Sequence, residues 1–232
     1  MRTSVTSKKK AATVRPAAKT ARVRRGSAQD QDALRGQVRD AAMALFKAHG
    51  LAGVTMRAVA AEVGVSAMAL YRYFPNKAGL LRGLWEFAIT ELHHQIQASV
   101  AQAGPSARAR LRAAMDAFLA YYEARPDDYR LIFMTEQAYA ESVEARWVEA
   151  PIYREILQFA LQLSTELAIE LGGDVSRARL SSDLRYALCL GYLHARLINV
   201  RYPWVDLGAL RAQALEQIAV AVENCLIGDG PG

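Results

Sequence analysis

Residues 55–79 read TMRAVAAEVGVSAMALYRYFPNKAG, and the punctuation of this stretch decides the fold. Thr55 is a good N-cap, because its side-chain oxygen can accept a hydrogen bond from a free N–H of the first helical turn. Met56, Val59, Ala60 and Val63 follow at helical spacing and form one apolar stripe. Gly64-Val65 makes a turn, since glycine supplies the positive φ that a sharp reversal needs. Ser66 caps a second helix, Ala67 to Phe74. Pro75-Asn76 then breaks the chain and Lys77 opens a third helix. Neither cap has Glu or Gln three residues on, so neither is a full capping box. Two short helices joined by a tight turn are how a helix-turn-helix offers a helix to the DNA major groove.

The flanks continue in the same helical period. Leu34, Val38, Ala41 and Leu45, with Phe46 beside them, predict a helix from about Asp30 to His49. Asp30 and Asp32 suit its positive end, and Gly50 ends it. Leu81, Trp85, Ala88, Leu92, Ile96 and Val100 mark the core face of the helix from Lys77 to about Ala103. Beyond Gly104-Pro105, further helices are expected near 106–124, 126–138, 140–149, 151–171, 180–200 and 206–226. Pro126, Pro151 and Pro203 stand at starts or joints, and Gly172-Gly173 is a clear stop. The expected fold is all-α. Residues 1–28 read as a disordered basic tail, 29–75 as a three-helix DNA-binding domain, and 76–228 as a larger helical domain.

Composition agrees. The 232 residues are 52% hydrophobic, enough for a sizeable core. A charge or His interrupts every apolar run before the ~18 residues that span a bilayer, so no membrane segment is expected. Cys189 and Cys225 lack metal-ligand spacing and read as reduced thiols, which suits a cytoplasmic protein. Residues 1–28 hold nine of the 29 basic side chains and no acid. That tail reads as an arm that tracks phosphates, as a solubilising extension, as a stretch upstream of the true start codon, or as an organelle transit peptide, which would also be basic and acid-poor. Deleting it lowers DNA affinity in the first case and changes nothing in the second.

A groove-reading helix needs phosphate-holding groups and base-reading groups. Thr55 and Ser66 place hydroxyls and free N–H groups at helix starts, Tyr71 and Tyr73 offer phenols, and Lys77 adds a charge. The base-reading set is quiet: Ala67, Met68 and Ala69 offer only apolar contacts, such as thymine methyls. Hydrogen-bond readout would fall on Arg57 and Arg72, each able to engage guanine for ~1–3 kcal/mol of discrimination. The competing reading is structural, with caps that only cap, Tyr71 packed on the first helix, and solvated arginines.

Residues 54–81, VTMRAVAAEVGVSAMALYRYFPNKAGLL, resemble the DNA-binding signature of the tetracycline-repressor (TetR) family of bacterial regulators. The resemblance covers about residues 32–86. It implies that Arg57, Ala67, Met68 and Arg72 face the groove and that Thr55, Ser66, Tyr71, Tyr73 and Lys77 face the backbone. Many members carry His where Tyr73 stands. The resemblance also implies an operator partner, a small-molecule effector and a dimer-forming C-terminal domain. Aromatic positions and one histidine nominate pocket residues there: Phe87, Tyr122, Phe133, Trp147, Tyr153, Phe159 and His194. In the helix near 183–200, Leu184, Leu188, Gly191, Ala195 and Ile198 form one apolar face, and Tyr186, Leu190, Leu193 and Leu197 a second. In the helix near 206–226, Leu207, Leu210, Ala214, Ile218, Ala221 and Cys225 form another. These two helices are expected to pair with those of a second copy.

No cofactor or metal is expected. His93 and His94 are adjacent and so point about 100° apart on a helix. There is no Gly-rich phosphate loop, nucleophile elbow or paired-carboxylate motif, which speaks against an enzyme. The remaining rival is a constitutive architectural DNA-binding protein, which would bind every duplex equally and answer to no small molecule.

Overall fold

The computed structural model describes residues 28–134 and 150–228. Every regular element among them is helical. The helices are α1 (Ala28–Gly53), α2 (Met56–Val63), α3 (Ala67–Tyr71), α4 (Lys77–Gln102), α5 (Ala107–Ala124), α6 (Pro126–Phe133), α7 (Pro151–Leu171), α8 (Ala178–Leu197) and α9 (Leu207–Ile227). The basic tail through residue 27 and the expected helix 140–149 lie outside the described residues.

Helix boundaries follow the capping chemistry. Gly50 takes φ 64 and interrupts α1, which resumes for one turn to Gly53. Thr55 Oγ1 accepts from Ala58 N at 3.1 Å, and Ser66 Oγ accepts from Ala69 N at 3.1 Å. Between them Gly64 sits at φ 75, and Val65 N reaches back to Ala60 O at 2.9 Å. This left-handed stop satisfies the last carbonyls of α2 and turns the chain into α3. Asn76 caps α4 by accepting from Gly79 N at 2.7 Å.

One boundary departs from expectation. The second helix was expected to reach Phe74, but α3 ends at Tyr71 and closes in a tight turn, with Tyr73 N and Phe74 N both bonded to Leu70 O at 3.0 Å. Pro75 follows, and a residue before proline is pushed out of helical geometry.

Val38, Ala42, Val54, Met56, Val59, Ala60 and Leu70 are buried and fill the space under α2 and α3. Leu80, Leu81 and Leu84 are the buried residues of the first turns of α4. Farther along α4 a second core begins. Leu92 and Val100 join Leu111, Met115 and Leu119 of α5, Leu163 and Leu167 of α7, Leu193 of α8 and Val222 of α9.

Helix α5 is tied on both sides by charge. Glu170 of α7 accepts from Ala107 N and Arg108 N, closing the free N–H groups of α5. Arg110 pairs with Glu166 of α7, and Arg108 pairs with Glu223 of α9 at 2.7 Å. Arg211 of α9 holds Asp116 at 2.7 Å and Glu123 at 2.8 Å, and Tyr192 of α8 donates to Glu123 at 2.7 Å.

The end of α9 meets the α7–α8 turn backbone to backbone. Asp174 N donates to Leu226 O at 2.8 Å. A Cβ on Gly173 would stand 2.8 Å from that same oxygen, so only glycine fits without a shift. Gly173→Ala should therefore cost about 1–3 kcal/mol as an overpacked contact. A thermal melt should show a fall of roughly 2–4 °C per kcal/mol for a chain of this size. An unchanged midpoint would mean the turn is free to move.

Candidate functional site

The outer face of the helix-turn-helix is solvent-exposed and chemically mixed. Met68 is 75% exposed and Tyr71 46%, with Arg72 exposed beside them. These three follow at i, i+3 and i+4 and so share one face. Leu70 is fully buried on the opposite side. Arg57, Thr55 and Ser66 are exposed, while Ala67 and Tyr73 are half-buried. Both cap hydroxyls accept from the backbone and keep their O–H donors for an outside acceptor.

Lys77 is placed differently from its assignment to phosphate alone. It is half-buried, and its Nζ donates to Leu51 O at 2.7 Å. The ammonium thus fastens the start of α4 to the end of α1.

Two contacts join this domain to α4. A Cβ on Gly83 would lie 3.0 Å from Cε1 of Phe74, so the ring is seated on a glycine of α4. The guanidinium of Arg39 stands 3.9 Å from the ring centroid of Phe87, a cation–π distance.

Past that junction α4 forms one wall of a cavity of about 470 Å³, within the range of small-molecule sites. Trp85, Ile89, Leu92, His93 and Ile96 of α4 line it, with Phe118 and Tyr122 of α5 and Phe133 of α6. Tyr153, Phe159 and Leu163 of α7 and Ser182, Arg185, Tyr186 and Cys189 of α8 complete most of the wall. Of the residues nominated from sequence, Tyr122, Phe133, Tyr153 and Phe159 are brought together here. Phe87 is not, because it is exposed under Arg39. His194 is not, because it faces outward from α8. Trp147 lies outside the described residues.

His93 takes the place given to His194. It is buried, with its ring edge-on to Phe159 at 5.5 Å. Burial lowers its pKa below 6.5, with Glu155 opposing and His94 assisting, so the imidazole is neutral at pH 7. Burial pushes the Cys189 thiol up to about 11 and the Tyr186 phenol up to about 12. The Tyr122 phenol is raised strongly, first by burial and then by its phenolic and acidic neighbours. Sequence reading also missed Arg185. Its signal was a polar stripe, Ser182–Arg185–Cys189–Tyr192, that runs along α8 between the two apolar faces.

Residues 38–84 match the family described as "Bacterial regulatory proteins, tetR family". Residues 38–84 of the chain thus carry a tetR-family DNA-binding segment. It is 31% identical over 123 residues to FasR, an HTH-type transcriptional activator of Mycolicibacterium smegmatis, covering 53% of this chain and 56% of FasR. It is 28% identical over 113 residues to an HTH-type transcriptional repressor of Streptomyces coelicolor, covering 49% of this chain and 55% of the repressor. The chain thus spans about half the length of those relatives. Its fold is similar to that of a TetR variant from Acinetobacter baumannii solved in complex with minocycline, with a TM-score of 0.60 at 21% identity over 83% of this chain and 98% of the other.

The depressed pKa of His93 has a consequence for stability. Between pH 6.5 and its lower folded value, the unfolded chain binds the proton and the folded chain does not. Stability present above about pH 6.5 is therefore lost as pH falls toward the folded value. His93→Gln should flatten the change in denaturation midpoint between about pH 7.5 and 5.5. Parallel curves for the two proteins would rule out a neutral buried imidazole.

Proposed function

We propose that the chain is a ligand-responsive transcriptional regulator, a repressor that binds a palindromic operator as a homodimer and is released by a small-molecule effector. The observation that carries this reading is the position of α4. One end of that helix seats Phe74 and the helix-turn-helix, and its middle lines the cavity. A constitutive architectural protein has no use for a cavity of about 470 Å³ coupled in this way. The relatives reported above include both an activator and a repressor, and repression is the simpler outcome of occupying a promoter.

In this reading α3 enters the major groove. Met68 and Ala67 contact base edges by shape and apolar surface, while Arg57 and Arg72 supply hydrogen bonds. Thr55, Ser66, Tyr71 and Tyr73 hold phosphates through their O–H groups. Lys77 contributes charge near the backbone while it fastens α4 to α1. Two copies of α3 reach half-sites about one turn apart, ~34–36 Å, or a multiple of that. Occupying the cavity shifts α4, and through Phe74 it shifts the spacing of the two α3 helices. Differential affinity of this kind typically amounts to ~1–3 kcal/mol of coupling.

The dimer forms through α8 and α9, with one revision to the faces. On α9, Ile218 is buried, and Leu210 and Ala214 pack on the core. The face expected to meet a second copy is therefore the inner face of the protomer. What remains outside on α9 includes Val220 and Ile227, both exposed. On α8, Leu180 is 61% exposed and Leu188 36%, and a Cβ on Gly191 would meet nothing within 4 Å. An exposed apolar stripe with a glycine in it suits close approach of a symmetry mate.

Two measurements test the reading. At fixed salt, the protein should bind the duplex upstream of its own gene more tightly than a random duplex, and equal affinities would sink it. Arg57→Ala should erase about 1–3 kcal/mol of discrimination at one base position with little loss on random DNA. Separately, Leu188→Glu should yield a folded monomer in light scattering, with operator affinity lost. A dimer that survives the substitution would place the interface elsewhere.

A further inference from the structure

Among the described residues, Arg185 is the only lysine, arginine or acid that is buried. It sits in the wall of the cavity. Its Nη2 donates to Ala160 O at 3.2 Å and to Ser182 Oγ at 3.5 Å, both neutral acceptors. Among the described residues no carboxylate pairs with it, and its Nε and Nη1 make no hydrogen bond. Burial works against its charge, yet a guanidinium does not give up its proton in a protein. A buried cation without a counter-ion is costly, and packing gains nothing from it that a methionine would not supply.

The rest of the lining fixes what would answer that charge. Asp183 is the acid at the wall, but it is exposed and holds Arg179 through both oxygens, at 3.0 and 3.1 Å from Nε. That pair cancels, leaving Arg185 to set the sign of the site. Tyr122, Tyr153 and Tyr186 also line the cavity, and among the described residues none of their hydroxyls makes a hydrogen bond. They add donors to the same wall. Apart from the neutral His93 and Cys189, the rest is apolar: Trp85, Ile89, Leu92, Ile96, Phe159 and Leu163, with others of their kind.

We propose that the cavity takes a monocarboxylic acid with an apolar body, its carboxylate held by Arg185 and its body lying between α4 and α7. One unpaired guanidinium matches one negative charge, and its planar fork matches a carboxylate in two parallel hydrogen bonds. A pyrophosphate-bearing molecule would leave charges without partners in this wall. This assignment rests on the cavity being the effector site of the proposed regulator.

The test uses the full chain and two matched pairs of probes: dodecanoate against dodecanol, and 2-naphthoate against 2-naphthalenemethanol. Affinities are read by displacement of the neutral dye Nile red and by calorimetry. Each acid should bind at least tenfold more tightly than its alcohol. Arg185→Met should bring each ratio to within threefold while leaving the alcohols unchanged, and Arg185→Lys should keep the preference. Without ligand, Arg185→Met should melt at or above the parent temperature, because no ion pair is lost. A clear fall in that melting point would make Arg185 a structural group and overturn the proposal. So would alcohols that bind as tightly as acids in the parent protein, or a preference that survives Arg185→Met. Dye that is displaced by the alcohols but not by the acids would leave the effector site standing and remove the carboxylate. A protein that binds neither dye nor probes would remove both.

Discussion

The Phe74 ring lies where a side chain of Gly83 would begin, and the two functional halves of the molecule depend on that contact. Glycine inside a long helix gives up about 0.5–1 kcal/mol relative to alanine, and here the loss makes room for an aromatic ring. Around the seat, Asn76 closes the first turn of α4 and Lys77 binds the carbonyl of Leu51. These contacts hold the end of α3, the start of α4 and the last turn of α1 as one joint. Close-packed joints of this kind have low compressibility and transmit strain, and in the proposed regulator this joint is what would carry a displacement of α4 to α3.

The same helix must satisfy two surfaces. Its first turns bury Leu80, Leu81 and Leu84, and later turns present Leu92 and His93 to the cavity. The indole N–H of Trp85, between the two, donates to Leu131 O at 3.2 Å, which fixes α6 against α4. The cavity is stabilised on its far side by α5, whose arginines and acids lock α7 and α9. The cavity wall is thus mostly apolar, and the helices behind it are cross-braced by charge.

Much of this was legible in the residues. Thr55, Gly64, Ser66, Pro151 and Gly172 announced helix ends because capping is local chemistry, decided within four residues. The limits of α7 followed from Pro151 and Gly172 directly. Reading failed where the deciding partner is distant in sequence. Periodicity shows that α9 has an apolar face but does not say whether α5 and α7 or a second copy covers it. His194 and His93 are both histidines on apolar helices, and only packing separates an outward ring from an inward one. Arg185 was passed over because arginine reads as surface, and its burial depends on α7 closing over α8. The bond of Lys77 to Leu51 was illegible for the same reason, since Leu51 lies 26 residues earlier.

The long-range ion pairs of α5 also set an order of assembly. The core under α2 and α3 is drawn from Val38 to Leu70, close together in the chain, so that domain can form early in synthesis. The body cannot: Arg211 lies 95 residues beyond Asp116, and Glu223 lies 115 beyond Arg108. Loops of that length close slowly, and chains are made at only about 5–20 residues per second. For several seconds of synthesis α4 and α5 stand without α9, their apolar faces uncovered, and α9 is the helix that completes the core.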